Sequence, residues 1–220
     1  MKRTLAISTL LVALFAAGTA LAAVGVYATS FSKRSDVRAL NKLSGDRKAC
    51  ERDWRKKSTL GVTVKGGKED CALSTPVEGD SNQPDHIVTV VAKMTRATDR
   101  KTRDEAYVGA AVRANRKENY ELRVFPKPRR FQLLKSGQVI EQGRDNKVAG
   151  LAKKNKLEIR AIGDSVAVKV NGKKLANFRD ENAEQVTGRK TAVTFGSRKN
   201  SKKAKVKAFF DQLKVQVPNP

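Results

Sequence analysis

From about residue 60 onward, apolar and polar residues alternate with period two, and turn-forming residues interrupt the alternation at short intervals. A strand sends successive side chains to opposite faces, so such a segment buries one face and exposes the other. His86-Ile87-Val88-Thr89-Val90-Val91-Ala92 is β-branched and strand-like, and Ala106 to Val112 continues in that style. Tyr120 to Val124 and Leu157 to Ala161 alternate apolar with charged residues. Ser136-Gly137 separates Phe131-Gln132-Leu133 from Val139-Ile140, and Gly163-Asp164-Ser165 leads into Val166 to Val170. Asn171-Gly172 suits a type I′ hairpin turn, whose two central residues both need positive φ. Leu175 to Phe178, Ala192 to Phe195, Ala204 to Ala208 and Leu213 to Val217 complete the series. About a dozen short, turn-punctuated strands predict an all-β fold, an antiparallel two-sheet sandwich. Helix-like patterns are confined to Arg34–Leu43 and Ala49–Lys57, both short and polar, which places them over one end of the sandwich. Ser74–Pro84, Thr95–Glu105 and the basic Arg198–Lys203 read as loops.

The first residues follow a different rule. Lys2 and Arg3 precede an apolar, uncharged run from Leu5 to Ala17, and Ala20-Leu21-Ala22 supplies the small-x-small pattern of a cleavage site. Residues 1–22 are therefore expected to be an export signal, helical in transit, that directs the protein to the outside of the cell or to its envelope. The other reading is an uncleaved anchor. The uncharged stretch from Thr4 to Ser32 is long enough to cross a bilayer, which takes about 20 residues. Gly18 and Thr19 dilute the apolar run, and Val24, Val26 and Ala28 alternate with Gly25, Tyr27 and Thr29 as a first strand would. One domain is expected over residues 24–217.

Composition narrows the function classes. The chain has 220 residues, 31% charged and 39% hydrophobic, which excludes a polytopic membrane protein. Aromatic residues are 5%, so a site built mainly on aromatic platforms is not expected. One His and two Cys exclude most zinc frameworks and most His-based catalysis. In an exported protein the pair Cys50 and Cys71 reads as a disulfide, with two buried free thiols as the other reading. The bond would tie Lys48–Trp54 to the Val62–Leu73 region and stabilise the fold by about 3 kcal/mol in the chain-entropy model. His86, at a strand start, reads as structural. It is the only histidine that could activate Cys50 as a nucleophile.

The run from Leu157 through Asn171-Gly172 to Ala176 resembles a hairpin of the concanavalin A-like (laminin-G-like) jelly-roll superfamily. Phe178-x-Asp180 follows where that superfamily expects it, Phe210-Asp211-Gln212-Leu213-Lys214-Val215 is similar to its closing strand, and Tyr120 to Val124 to an earlier one. Among its branches the chain looks closest to the 3-keto-disaccharide hydrolase-like and exo-inulinase-associated sandwich domains of exported bacterial proteins, over about residues 85–217. The resemblance implies a jelly roll and either carbohydrate recognition or glycoside hydrolysis. Hydrolysing branches carry an acidic E-x-D-x-E strand, absent here. Glu121 and Glu158 alternate with core positions and read as solvated strand faces. Calcium-binding branches cluster Asp and Asn, whereas Asp80, Asp85 and Asp145-Asn146 are scattered, so no cofactor is expected and calcium is a weak alternative. Trp54 could stack on a sugar but reads as packing.

Charge remains. There are 46 Lys and Arg against 22 Asp and Glu, a formal net charge of +24. The candidate surface for an anionic ligand is Lys127, Arg129, Arg130, Lys199, Lys202, Lys203, Lys205 and Lys207. Period two sets Lys203, Lys205 and Lys207 on one strand face, about 7 Å apart. Such a row can follow a polyanion and release its counterions, or simply protect an edge strand from aggregation. The expected partners are an extracellular glycan or an anionic wall polymer, with an anionic membrane surface as a further option. Nucleic acid is a poor dedicated partner, because no aromatic residues interleave the basic ones. The favoured function is an exported, non-catalytic binding or structural module of the cell envelope. The alternative is a glycan-active jelly-roll enzyme, which would need two facing carboxyls about 5–10 Å apart in a cleft.

Overall fold

A computed structural model describes residues 23–46, 48–55, 59–66, 69–79, 84–199 and 205–218. The expected signal segment 1–22 lies outside the described residues, as do Lys202 and Lys203. The chain runs through β1 (Ala23–Thr29), α1 (Arg34–Ala39), β2 (Asn41–Ser44), β3 (Cys50–Arg55), β4 (Thr59–Lys65), β5 (Glu69–Glu78), β6 (His86–Met94) and β7 (Ala106–Ala114). It continues through β8 (Tyr120–Phe125), β9 (Arg130–Lys135), β10 (Gln138–Arg144), β11 (Asn155–Ile162), β12 (Ser165–Val170), β13 (Lys173–Arg179), β14 (Lys190–Ser197) and β15 (Lys205–Pro218). A short 3-10 turn at Ala183–Gln185 precedes β14.

The strands form two antiparallel sheets. The first has the order β13-β12-β11-β6-β15-β4-β3, with β1 also paired to β15, and the second β10-β9-β8-β7-β14-β5-β2. Neighbours in each sheet are often far apart in sequence, which makes this a jelly-roll sandwich. The core lies between the sheets, where Val88, Val90, Ile159, Val168, Phe210 and Val215 of the first meet Val108, Tyr120, Leu122, Leu133, Val193 and Phe195 of the second. These are the alternate residues that period two singles out.

Asn171 and Gly172 take φ of 50° and 84°, the turn that joins β12 to β13. Elsewhere the structure corrects the sequence reading. Cys50–Arg55 is a strand, paired from Cys50 opposite Val64 to Arg55 opposite Thr59. Its half-buried residues, Cys50 and Trp54, are four apart, a spacing that shares one face in a helix and in a strand alike. The helix expected over Arg34–Leu43 stops at Ala39, and the chain extends into β2. Ser74–Pro84 is not all loop, since β5 continues to Glu78 with Ser74 and Thr75 buried. The Thr75 hydroxyl lies 2.8 Å from that of Thr191 on β14. The last two expected strands are one, β15, whose register shifts at Asp211 between Phe210 and Gln212.

Cys50 and Cys71 form a disulfide with Cα atoms 5.9 Å apart. One is in β3 of the first sheet and the other in β5 of the second, so the bond crosses the sandwich. Trp54 donates its indole N–H to the Phe31 carbonyl at 3.0 Å and packs against the core, which is the packing role expected of it.

Hydrogen bonds join the loops at each end of the sandwich. At one end, the Ala152 N–H donates to the Met94 carbonyl, Asp145 to Arg129, Arg198 to Glu105, and Asn171 to Lys156. The Lys199 ammonium reaches the Lys101 carbonyl at 2.7 Å. At the opposite end, the buried Arg113 donates to the Gly163 carbonyl at 2.7 Å and pairs with Asp85 at 3.2 Å. There the Glu118 carboxylate accepts from the backbone and hydroxyl of Thr187, and Lys135 pairs with Asp180 at 2.8 Å.

Candidate binding site on the second sheet

The outer face of the second sheet is unlike an ordinary solvated strand face. On β8, Tyr120, Leu122 and Val124 enter the core, so Glu121 and Arg123 point the other way. Even so, both are nearly inaccessible to solvent, at 3% and 5%. This corrects the expectation for Glu121. The face is dished, and its floor is cut from small residues. Register sets Arg123 opposite Gly109 of β7, Gly109 opposite Thr194 of β14, and Thr194 opposite Ala72 of β5. The adjoining rows place Glu121 beside Ala111 and Ala192, and Tyr107 beside Gly196 and Asp70.

Those small residues are needed. A Cβ at Gly109 would lie 2.3 Å from the Leu122 carbonyl oxygen and 2.5 Å from Thr194 Oγ1. One at Gly196 would lie 2.8 Å from the Tyr107 hydroxyl.

Arg123 organises the floor. Its Nη2 lies 2.8 Å from Glu121 Oε2 and 3.1 Å from Asp70 Oδ2. Both carboxylates touch one nitrogen, so their facing oxygens are at most about 6 Å apart. The guanidinium carbon lies 4.3 Å from the Tyr107 ring centroid, and the Tyr107 hydroxyl donates to Asp70 Oδ1 at 2.8 Å. Burial works against the Arg123 charge. Glu121, Tyr107 and Asp70 together outweigh it, so the guanidinium holds its proton more tightly than usual. Burial, with Glu121 adding to it, pushes the Tyr107 phenol well above its ordinary range, so it stays a donor.

Above this floor opens a pocket of about 220 Å³, walled by Leu43 and Ser44 of β2, by Asn115–Asn119 and by Ser136-Gly137. Four buried polar atoms of residues lining it have no hydrogen-bond partner among the described residues: Glu121 Oε1, Arg123 Nε, Thr194 Oγ1 and Asn119 Oδ1. Buried polar atoms are usually paired, and unpaired ones gathered at one cavity mark a place where something else supplies the partner.

The residues chosen from sequence for an anionic ligand lie elsewhere. Lys127 and Arg129 are exposed in the β8–β9 turn, and Arg130 opens β9, stacked 4.3 Å from the Phe125 ring. Lys199 is exposed just after β14. These four gather at one end of the sandwich. Lys205 and Lys207 are set apart on the outer face of the first sheet, where Thr63 stands between Lys207 and Glu51. That face mixes signs, with Lys65 paired to Glu51 and Lys169 to Glu158 at 3.0 Å. Sequence reasoning missed Asp70, Tyr107, Asn119, Arg123 and Thr194. The signal that could have found them is Glu121-x-Arg123, opposite charges on one strand face, set against the small Gly109 and Ala111 of the preceding strand.

Among the described residues, no three His, Cys, Asp or Glu side chains converge as metal ligands would.

No protein-family model matches the chain, and no curated protein matches it. Solved structures do. The chain is similar to a Bacillus subtilis protein of unknown function with a galectin-like fold, at 12% identity and a TM-score of 0.63 over 89% of this chain and 97% of that one. It is similar to the carbohydrate-binding module CBM66 from Bacillus subtilis, at 13% identity and a TM-score of 0.55 over 79% and 92%. A laminarinase from Flavobacterium sp. UMI-01 matches at 12% identity with a TM-score of 0.58 over 87% and 99%. Likeness at such identity establishes the fold alone, a two-sheet jelly-roll sandwich shared with galectin-like and laminarinase structures, which is the fold that the 157–176 hairpin implied.

Proposed function

We propose that the chain is an exported, non-catalytic glycan-binding module of the cell envelope, and that it seats a sugar unit in the pocket around Arg123. The observation that carries this reading is the set of four unpaired polar atoms at one cavity. Glu121 Oε1 and Asn119 Oδ1 accept, Arg123 Nε donates, and the Thr194 hydroxyl does either. Sugar hydroxyls, which donate and accept at adjacent carbons, are the natural complement to such a mixed set. The pocket is smaller than the roughly 300–1,000 Å³ of drug-sized sites, which suits a short portion of a chain. A carbohydrate-binding module and a lectin-like protein among the similar folds support the reading.

The position of Arg123 supports the non-catalytic role. Its guanidinium bridges Asp70 and Glu121, in the space that a glycosidic oxygen or a water would need between a working pair. A glycan-active enzyme is the second reading. It is favoured by the carboxylate spacing of about 6 Å or less, which reaches the range used in glycoside hydrolysis. The test is a glycan array followed by calorimetry on the best ligand, with Asn119→Ala and Glu121→Gln alongside the parent. Binding weakened about tenfold or more in both variants, with no new reducing ends after long incubation, supports the module. Undiminished binding removes the pocket from the reading, and reducing ends that vanish in Glu121→Gln replace it with the enzyme.

A further inference from the structure

The two ends of the sandwich differ sharply in charge. Segments 45–46, 48–49, 65–66, 95–105, 126–130, 144–156, 171–174 and 198–199, with Glu69, are gathered at one end and hold 18 Lys and Arg against 6 Asp and Glu. At the opposite end, segments 78–79, 84–86, 113–119, 135–137, 162–165 and 178–190 hold 7 of each. In sequence the basic residues form separate short runs. The fold sums them, because the loops are bonded to one another: Arg129 to Asp145, Arg198 to Glu105, Met94 to Ala152, and Lys101 to Lys199.

Some of these cations are already paired. Lys173 holds Asp145 at 2.6 Å, Lys154 holds Asp211 at 2.8 Å, and Arg130 lies 3.7 Å from Glu105. Lys127, Arg129 and Lys153 are exposed and make no ion pair among the described residues. Like charges held this close repel one another, and only a counter-charge from outside relieves that.

We infer that this end is a second binding surface, separate from the pocket, that takes a linear acidic polysaccharide. None of its segments contains an aromatic residue, so it offers no platform for stacking bases. Among the described residues the exposed large apolar ones, Val24, Val26 and Val139, all lie outside these segments, so the described part of this end offers nothing to insert into a lipid surface. Among the described residues no helix stands out from it to enter a duplex groove. What is left is recognition by fixed positive charge alone, which suits a polymer with regularly spaced carboxylates or sulfates. That the polymer is a polysaccharide rests on the glycan-binding reading above.

The test uses the full chain and polygalacturonate as the probe, with affinity measured across a salt series. The double variant Lys127→Glu with Lys153→Glu is compared with Arg34→Glu and Arg38→Glu, the same charge change on exposed residues of α1. The expected result is about a tenfold or greater loss and a shallower salt slope for the first pair, with little change for the second. Pocket binding is read separately with the best neutral glycan from the array, so failure of the pocket and failure of this surface appear with different probes. Equal losses in the two charge variants, equal binding of neutral dextran, or tighter binding of a duplex DNA of matched charge would each overturn the inference.

Discussion

Arg123 and Asp70 lie within 3.1 Å of each other although two strands, β7 and β14, separate the strands that carry them. Strands are spaced about 4.8 Å apart, so three spacings put some 14 Å between the two backbones, and the contact is made by the long Arg123 side chain reaching across β7 toward Asp70. It is possible only because Gly109 and Gly196 leave the space between them empty of side chains.

Gly109→Ala tests that dependence directly. The added methyl would meet the Leu122 backbone, which cannot rotate away, so a stability loss of about 1–3 kcal/mol is expected in urea unfolding. Ligand binding should fall with it, since Thr194 Oγ1 is the other atom displaced.

The disulfide makes a second prediction. Cys50 and Cys71 are 21 residues apart and join different sheets. Replacing both by Ala should cost about 3 kcal/mol. Reductant should produce a similar shift in the urea midpoint of the parent and none in the double variant.

Asp85 pairs with Arg113, whose side chain is 1% exposed, while Asp85 itself remains 40% exposed. Removing the carboxylate leaves a buried cation without its counter-charge, which costs about 3–5 kcal/mol for a fully buried pair and less for one half in water. Asp85→Ala should therefore lose about 2 kcal/mol. Arg113→Met with Asp85→Ala should lose less than either single change predicts when added, which a double-mutant cycle would reveal.

All three tyrosines, Tyr27, Tyr107 and Tyr120, have phenols raised by burial, with Asp36, Glu121 and Asp180 respectively adding to the effect. A folded pKa above the unfolded one gives stability that is full below the unfolded value of about 10 and lost as pH rises beyond it. Alkaline titration should thus show the half-exposed Tyr27 ionising first, and Tyr107 and Tyr120 only as the protein unfolds, in one cooperative rise. A gradual rise of more than one tyrosine's absorbance with the fold intact would contradict the burial of Tyr107 and Tyr120.

Most strands were legible because each has one dry face, and period two records it. What alternation cannot record is what lies over the other face. Glu121 lies off the core as expected but out of solvent, because neighbouring strands and loops wall the face it occupies. Ala49–Lys57 is ambiguous for a related reason, since its half-buried Cys50 and Trp54 are four apart, a spacing common to both periods. The Asn171-Gly172 turn was legible because only a few residues tolerate its backbone. The pocket was not, because it joins β2, β5, β7, β8 and β14, and no short stretch of sequence holds its pattern.

β15 has one further consequence. Its 14 residues fill a central position of the first sheet, with β6 along one edge and β4 and then β1 along the other. It is also the last described strand in the chain. During synthesis β1, β4 and β6 wait with an unsatisfied edge, and none can find this neighbour until β15 has been made. The order of synthesis therefore makes closure of this sheet a late event, slow in the manner of contacts between distant parts of a chain. The emerging protein, rather than the finished one, is the form most exposed to aggregation.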